Sequence, residues 1–212
     1  MLAAPVATLR RLGLNAALRE VNEIEVNGKR IAGMGGGQIG EACVIVGNIL
    51  FDFDYATMAR VLRVPSESSR YQVLTALRDS ISTLHQFNQS IKVDQVEQML
   101  IEEFAHALKR PLKFGYLTPA EMERSREIGE RLQSIEFLAL HSDAAIKPLK
   151  ISARTFIRFE QFELDGQQIC ANLVVRDGVI ENALLESDPP QPWGDLQSRL
   201  SGVPFSDWQN FL

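Results

Sequence analysis

Asn27-Gly28 separates the runs EIEV (23–26) and KRIAG (29–33), and an Asn-Gly pair placed there demands a tight antiparallel hairpin. Both residues tolerate the left-handed backbone angles of a two-residue type I′ turn, whose twist suits the flanking strands. Residues equidistant from such a turn face each other, so the spacing pairs Val26 with Lys29, Glu25 with Arg30 and Ile24 with Ile31. Side chains alternate, which puts Glu23, Glu25, Arg30 and Ala32 on one face and Ile24, Val26, Lys29 and Ile31 on the other. One face is polar and the other mostly apolar. A half-buried hairpin with a solvated, cross-paired outer face is the ordinary account of this pattern.

The glycines that follow add a second reading. Gly33, Gly35, Gly36, Gly37 and Gly40 crowd one short stretch, where backbone amides can approach an anion without a Cβ in the way. A ligand loop beside the polar face is therefore expected. Gly35, Gly37 and Gly40 fit G-x-G-x-x-G, but that fingerprint needs a helix to begin at the loop, and CVIVGNILF (43–51) reads as a buried strand. A Rossmann site is excluded on that ground.

The run NEIEVNGKRIAG (22–33) followed by VGNILFDFDYATMARVL (46–62) resembles the central motif of the lipoate-protein ligase family, and the similarity continues to the C-terminus. The resemblance implies an α+β fold: an incomplete mixed-sheet catalytic domain with helices over 1–141, then a small α+β accessory domain over 142–212. It implies ATP-dependent activation of lipoate to lipoyl-AMP and transfer to a carrier lysine, with Mg2+ as cofactor. The implied partner is a lipoyl carrier domain of a 2-oxoacid dehydrogenase or a glycine-cleavage H protein.

Carried over by position, the family's essential lysine falls on Arg30, with Lys29 one step earlier; both are the candidate catalytic residues. Arg30 keeps the positive charge, but its planar fork differs from an ammonium. Asn22, Glu23, Gly33, Gly35, Gly36 and Gly37 are the candidate ligand-binding residues, and Glu23, standing where the family has Asp, is the candidate metal ligand. The family's Arg-Arg-x-x-Gly-Gly-Gly phosphate loop is not found in these residues. The expectation is a second chain that supplies it, with the chain inactive alone. The alternative is a non-catalytic partner that binds lipoyl carrier domains or regulates a complete ligase.

The 212 residues are ample for a core, and the net charge of −5 argues against nucleic acid as the main partner. Cys43 and Cys170 lie in apolar strand-like runs and are expected as buried thiols in a reducing compartment, the cytoplasm by default. Apolar neighbours argue against Cys43 as an acyl-carrying nucleophile. No apolar run reaches the length of a membrane span.

In chain order, Pro5 can open a helix carrying Val6, Leu9 and Leu12 on one stripe and ended by Gly13. Exposed strand edges around 14–33 are expected to promote self-association. Asp52 and Asp54 share a strand face, and helix capping by Asp54 is preferred over a metal pair. A short helix over 55–64 ends before Pro65, and SESSRYQVLTALRDSISTLHQF (66–87) reads as one helix burying Val73, Leu74, Leu77, Ile81 and Leu84. Asp94 with Glu97 caps a helix carrying Val96, Leu100, Phe104 and Leu108, and Thr118-Pro119-Ala120-Glu121 opens an exposed helix ending near Leu132. From Leu149, turns at Gly166 and Asp177-Gly178 divide three antiparallel strands, followed by short helices. His85, His106 and His141 lack metal-ligand spacing and read as structural or surface residues.

Overall fold

The computed structural model describes residues 2–140 and 146–212, so His141 and the expected boundary at 141/142 lie outside the described residues. Helix α1 (Ala3–Arg11) begins two residues ahead of Pro5 and ends at Gly13, whose φ is +81°. Strand β1 (Ala16–Arg19) then pairs antiparallel with β2 (Glu23–Val26), which enters the hairpin. Asn27 and Gly28 both take positive φ, as the type I′ turn requires. Val26 pairs with Lys29 and Glu25 with Arg30 as the spacing predicts, but Ile24 faces Ala32 and Glu23 faces Gly33. A bulge makes Ile31 the extra residue.

The bulge has a structural cause. The Arg30 carbonyl accepts from Ser82 N at 2.8 Å and the Ile31 carbonyl from Leu50 N at 2.9 Å, so both serve neighbours outside the hairpin. Ala32 consequently joins Ile24 on the apolar side instead of the polar face. Ile24, Val26, Ile31 and Ala32 are all buried, in a core completed by Leu9 of α1 and by Leu84.

The glycine run is not a loop. Strand β3 (Lys29–Ile39) continues through Gly33, Gly35, Gly36 and Gly37 and pairs with β4 (Ala42–Ile49) from Ala32↔Ile49 to Ile39↔Ala42. None of those four glycines takes positive φ; the ribbon turns at Gly40, φ +59°. Glycine permits close strand packing instead, since a Cβ on Gly47 would sit 2.8 Å from Met34 Cγ. Nor is β4 buried: Cys43, Val44, Ile45 and Val46 are exposed, because the ribbon extends beyond the helices. The first sheet runs β1-β2-β3-β4, so its edges are the short β1, within the expected stretch 14–33, and the longer β4.

Asp54 caps α2 (Tyr55–Val61) by accepting from Thr57 N at 2.9 Å. The expected long helix is divided into α3 (Glu67–Ser80) and α4 (Leu84–Phe87), because Ile81 leaves the helix to bridge Arg30 in parallel. Helix α5 (Val93–Leu108) starts after Lys92 with no side-chain cap, so Asp94 lies in its first turn and not at the N-cap. Only Val96 of its apolar stripe is buried; the helix leans on α1, where Arg11 pairs with Glu102 and Glu103. In α6 (Pro119–Leu132), Thr118 and Glu121 form the expected capping box, and no residue of the helix is buried. Helix α7 (Ile135–Ala139) is capped by Ser134.

Strands β5 (Leu149–Lys150), β6 (Thr155–Leu164), β7 (Gln167–Arg176) and β8 (Val179–Ser187) form the second antiparallel sheet. Its hairpins turn at Asp165-Gly166 and Asp177-Gly178, all four residues having positive φ. Helix α8 (Gly194–Leu200) and a 3-10 turn (Trp208–Phe211) cover one face around Leu173, Ile180 and Leu200. The other face packs Ile157 and Val174 against Val73, Ala76 and Leu77 of α3. The α+β class is thus realised as two antiparallel sheets with α3 seated against the second.

The exposure of α6 and of β4 has measurable consequences. Thr118→Ala should lower amide-exchange protection in α6 by the equivalent of about 1 kcal/mol, with no shift of the global unfolding midpoint, because α6 contributes nothing buried; a lowered global midpoint would contradict this. The open β4 edge should make the chain self-associate with rising concentration, and Val46→Lys should suppress it. Sedimentation showing a concentration-independent monomer would count against an adhesive edge.

Candidate active site

The polar face of the hairpin is closed, not solvated. Glu23 and Glu25 are 3% and 6% exposed, because the turn over 150–154 lies across them. Glu23 accepts the Ala153 N–H at 2.6 Å, and its second oxygen lies 3.5 Å from Lys150 Nζ and 3.8 Å from Arg30 Nη1. Glu25 is held by Arg19 at 3.2 Å, with Arg154 Nη1 4.0 Å away. Arg154 also clamps Asp177, whose carboxyl is held below its ordinary range by that guanidinium. Four cations surround three carboxylates.

Two atoms in this cluster lack partners. Glu25 Oε1 and Arg30 Nε are buried without a hydrogen bond among the described residues, although Glu25 and Arg30 stand opposite each other across the strands. A buried donor and acceptor left unmade each carry a desolvation cost. Such atoms mark where a polar ligand or a shift of Arg30 has something to gain.

Arg30 packs over Gly33: a Cβ there would collide with Nη2 and fall 3.1 Å from Cζ. The glycine leaves the space that the guanidinium fills, so Arg30, Glu23 and Gly33 form one constellation. Asn22 is exposed and uses its carbonyl to accept from Met34 N at 2.8 Å. Lys29 is not part of the cluster. Its Nζ donates to the Arg78 carbonyl at 2.8 Å, anchoring the hairpin to the end of α3. Gly35 and Gly37, where a Cβ would meet nothing within 4 Å, belong with Gly36 to the extended ribbon of β3 and not to a loop.

Glu23 does not suit a divalent cation here. One oxygen is committed to Ala153 and the other faces two cationic side chains, and among the described residues no three His, Cys, Asp or Glu side chains gather as metal ligands. Cys43 is exposed on β4 opposite Gln38, correcting its expected burial, and Cys170 is half-buried.

Two features escaped the sequence reading. Lys150, Ala153 and Arg154 reach the hairpin from far along the chain, and nothing local in the sequence signals it. The particular partners of His85, expected only as structural or surface, are the other: its Nδ1 meets Asp52 Oδ2 at 2.8 Å and its Nε2 the Ile91 carbonyl at 3.2 Å, a structural role as expected. Both partners only accept, so the doubly protonated ring satisfies both, and the histidine titrates above its ordinary range, first through Asp52.

Comparison with known proteins gives the geometry its context. Residues 1–105 match the family model of the lipoyl protein ligase A/B catalytic domain. An octanoyltransferase, LipM, of Kyrpidia tusciae is 31% identical over 109 residues, 50% of this chain and 39% of that protein. A structure from Thermoplasma acidophilum, described as a bi-partite lipoate protein ligase and its E2 lipoyl domain, aligns with a TM-score of 0.60 at 25% identity, covering 67% of this chain and 57% of that one. A second structure from the same organism, solved with bound lipoic acid, shares the fold with a TM-score of 0.51 at 23% identity, over 63% of this chain and 54% of that one. The chain thus spans between 39% and 57% of the length of these relatives.

The His85 contacts set a pH dependence. A histidine raised on folding contributes stability that is fully present below its unfolded pKa, about 6.5, and lost as pH rises through the folded value. Urea midpoints should therefore fall as pH rises from about 6.5, and His85→Gln should flatten that slope. Identical slopes for both proteins would remove His85 as its source.

Proposed function

Through residues 1–105 the chain belongs to the lipoyl protein ligase A/B catalytic family, and from that premise we propose that it is one part of an ATP-dependent lipoate-protein ligase, completed by a second polypeptide. In this reading lipoate is joined to AMP with release of pyrophosphate, and the amine of a carrier-domain lysine then displaces AMP. The observation that carries it is Arg30 laid over Gly33 beside Glu23, at the position of the family's lysine. A guanidinium there can neutralise charge on the acyl phosphate, and its Nε is a buried donor without a partner among the described residues. Asn22, exposed at the same end of β2, is available to the nucleotide.

Two further observations support the second polypeptide. The β4 edge is open along Ala42–Ile49, and a relative is described as bi-partite with an E2 lipoyl domain. A strand added at β4 would cover Val44 and Val46. The carrier follows as a lipoyl domain, and two unpaired thiols suit the reducing cytoplasm. A non-catalytic role in binding carrier domains is the second reading, favoured by one feature: the 150–154 turn already occupies the Glu23 carboxylate.

The chain alone should release no pyrophosphate from lipoate and ATP. In the complex reconstituted with the phosphate-loop polypeptide, Arg30→Ala should abolish adenylate formation, whereas Arg30→Lys should retain or raise it. Lys29→Ala should leave it within a few-fold, since its bond to the Arg78 carbonyl is an exposed anchor worth at most about 1 kcal/mol. Unchanged adenylate formation in Arg30→Ala would sink the catalytic reading.

A further inference from the structure

We propose that the crevice between α3 and the outer edge of β8 binds a short extended peptide carrying a basic side chain. The cavity measures about 570 Å³ and is separate from the hairpin face, being lined by Tyr71, Gln72, Asp79, Asn182 and Leu184 among others. That volume falls in the range of pockets that enclose small ligands, roughly 300–1,000 Å³.

Three features define the occupant. The first is an acceptor with no donor. Gln72 is 8% exposed, and its Nε2 donates to the Asn172 carbonyl at 3.2 Å and to Asn182 Oδ1 at 2.8 Å. A backbone carbonyl can only accept, so the amide cannot be turned over, and Gln72 Oε1 is left buried without a partner among the described residues. Gln72 lines the crevice, so a small shift of its side chain would bring this acceptor to an N–H donor on a bound chain.

The second feature is the strand edge. Leu185 N points outward to Gln197 Oε1 at 2.8 Å, and further along, Ile180 exchanges bonds of 2.9 and 2.8 Å with Val203 and Gly202. Between these covered points the alternation of an antiparallel edge turns the N–H and C=O of Ala183 outward, where Ala183 lines the crevice. One open ladder position suits a few residues of extended chain and is too short to recruit a whole strand.

The third is charge. Gln72, Thr75, Ala76 and Asp79 lie on one face of α3 at helical spacing and line the crevice. Arg176 is engaged by Glu181 at 3.0 Å, whereas Asp79 has no ion-pair partner among the described residues. The rim therefore presents an uncompensated carboxylate about 10 Å along the helix from Gln72. A main-chain N–H near Gln72 and Ala183 with a lysine or arginine side chain at Asp79 satisfies all three features.

The test is an amide-resolved NMR titration of the full chain with N-acetyl-Ala-Lys-Ala-methylamide, its glutamate counterpart, and butylamine. The lysine peptide should shift amides of 75–79 and 182–184 while leaving the hairpin unmoved, and should bind about threefold more tightly than the glutamate peptide, the size of an exposed ion pair. Asp79→Asn should erase that preference without altering the fold, and Leu184→Trp should fill the crevice and remove binding. Absence of shifts at 75–79 and 182–184, equal binding of the two peptides, or butylamine matching the lysine peptide would each overturn the proposal. Should Leu184→Trp fail to fold, the charge preference and its loss in Asp79→Asn decide the matter.

Discussion

Glu23 and Ala153 lie 130 residues apart, and the 2.6 Å bond between them ties the two sheets together. A carboxylate this deeply buried is tolerable only when its charge is answered, and here the answer comes from both sides: Arg30 within the hairpin, Lys150 and the Ala153 amide from the second sheet. Removing the cationic or amide partners would leave the Glu23 carboxylate buried with less to compensate it, a penalty tempered by the partial exposure of Lys150 and Arg30. The turn at 150–154 and the hairpin face therefore hold each other in place. Around that contact α3 supplies the apolar partner, with Val73 and Leu77 packed against Ile157 and Val174.

The same contact shapes the chemistry available at Arg30. The guanidinium is positioned by the space over Gly33 and drawn toward Glu23, so in the proposed reaction a phosphate would compete with an internal carboxylate for it. Arginine and lysine would meet this competition differently. Its fork can keep one nitrogen toward a carboxylate while presenting another to a phosphate oxygen, whereas an ammonium acts as a single compact charge. Among the described residues, the unpaired Nε and the unpaired Glu25 oxygen leave hydrogen-bonding capacity unused at this position.

The glycine-rich segment illustrates how a residue type can serve a different physical end from the one its density suggests. Glycines in a phosphate loop exploit positive φ or exposed amides; those of β3 lie extended in a ladder with β4. The result is a ribbon whose apolar side chains, among them Ile39, Val44 and Val46, face outward. Such a surface is stable in water only at the risk of pairing with another edge, and that risk connects the fold to the idea of a second polypeptide.

Local chemistry determined much of the molecule. Asn27-Gly28 set the hairpin turn, Thr118-Pro119-Ala120-Glu121 opened α6, Asp54 capped α2, and Asp177-Gly178 turned β7 into β8. Each acts over a few residues, through backbone angles or a single capping bond, so the sequence alone suffices. Tertiary structure decided the rest. The bulge at Ile31 arises because Ser82 and Leu50 claim the carbonyls of Arg30 and Ile31, and the break after Ser80 arises from the same bridge. Glu23 and Glu25 read as a solvated face because alternation reports which side a residue faces, not what covers that side. Burial of that face depended on a turn more than a hundred residues away, and a contact of that separation leaves no trace in local pattern.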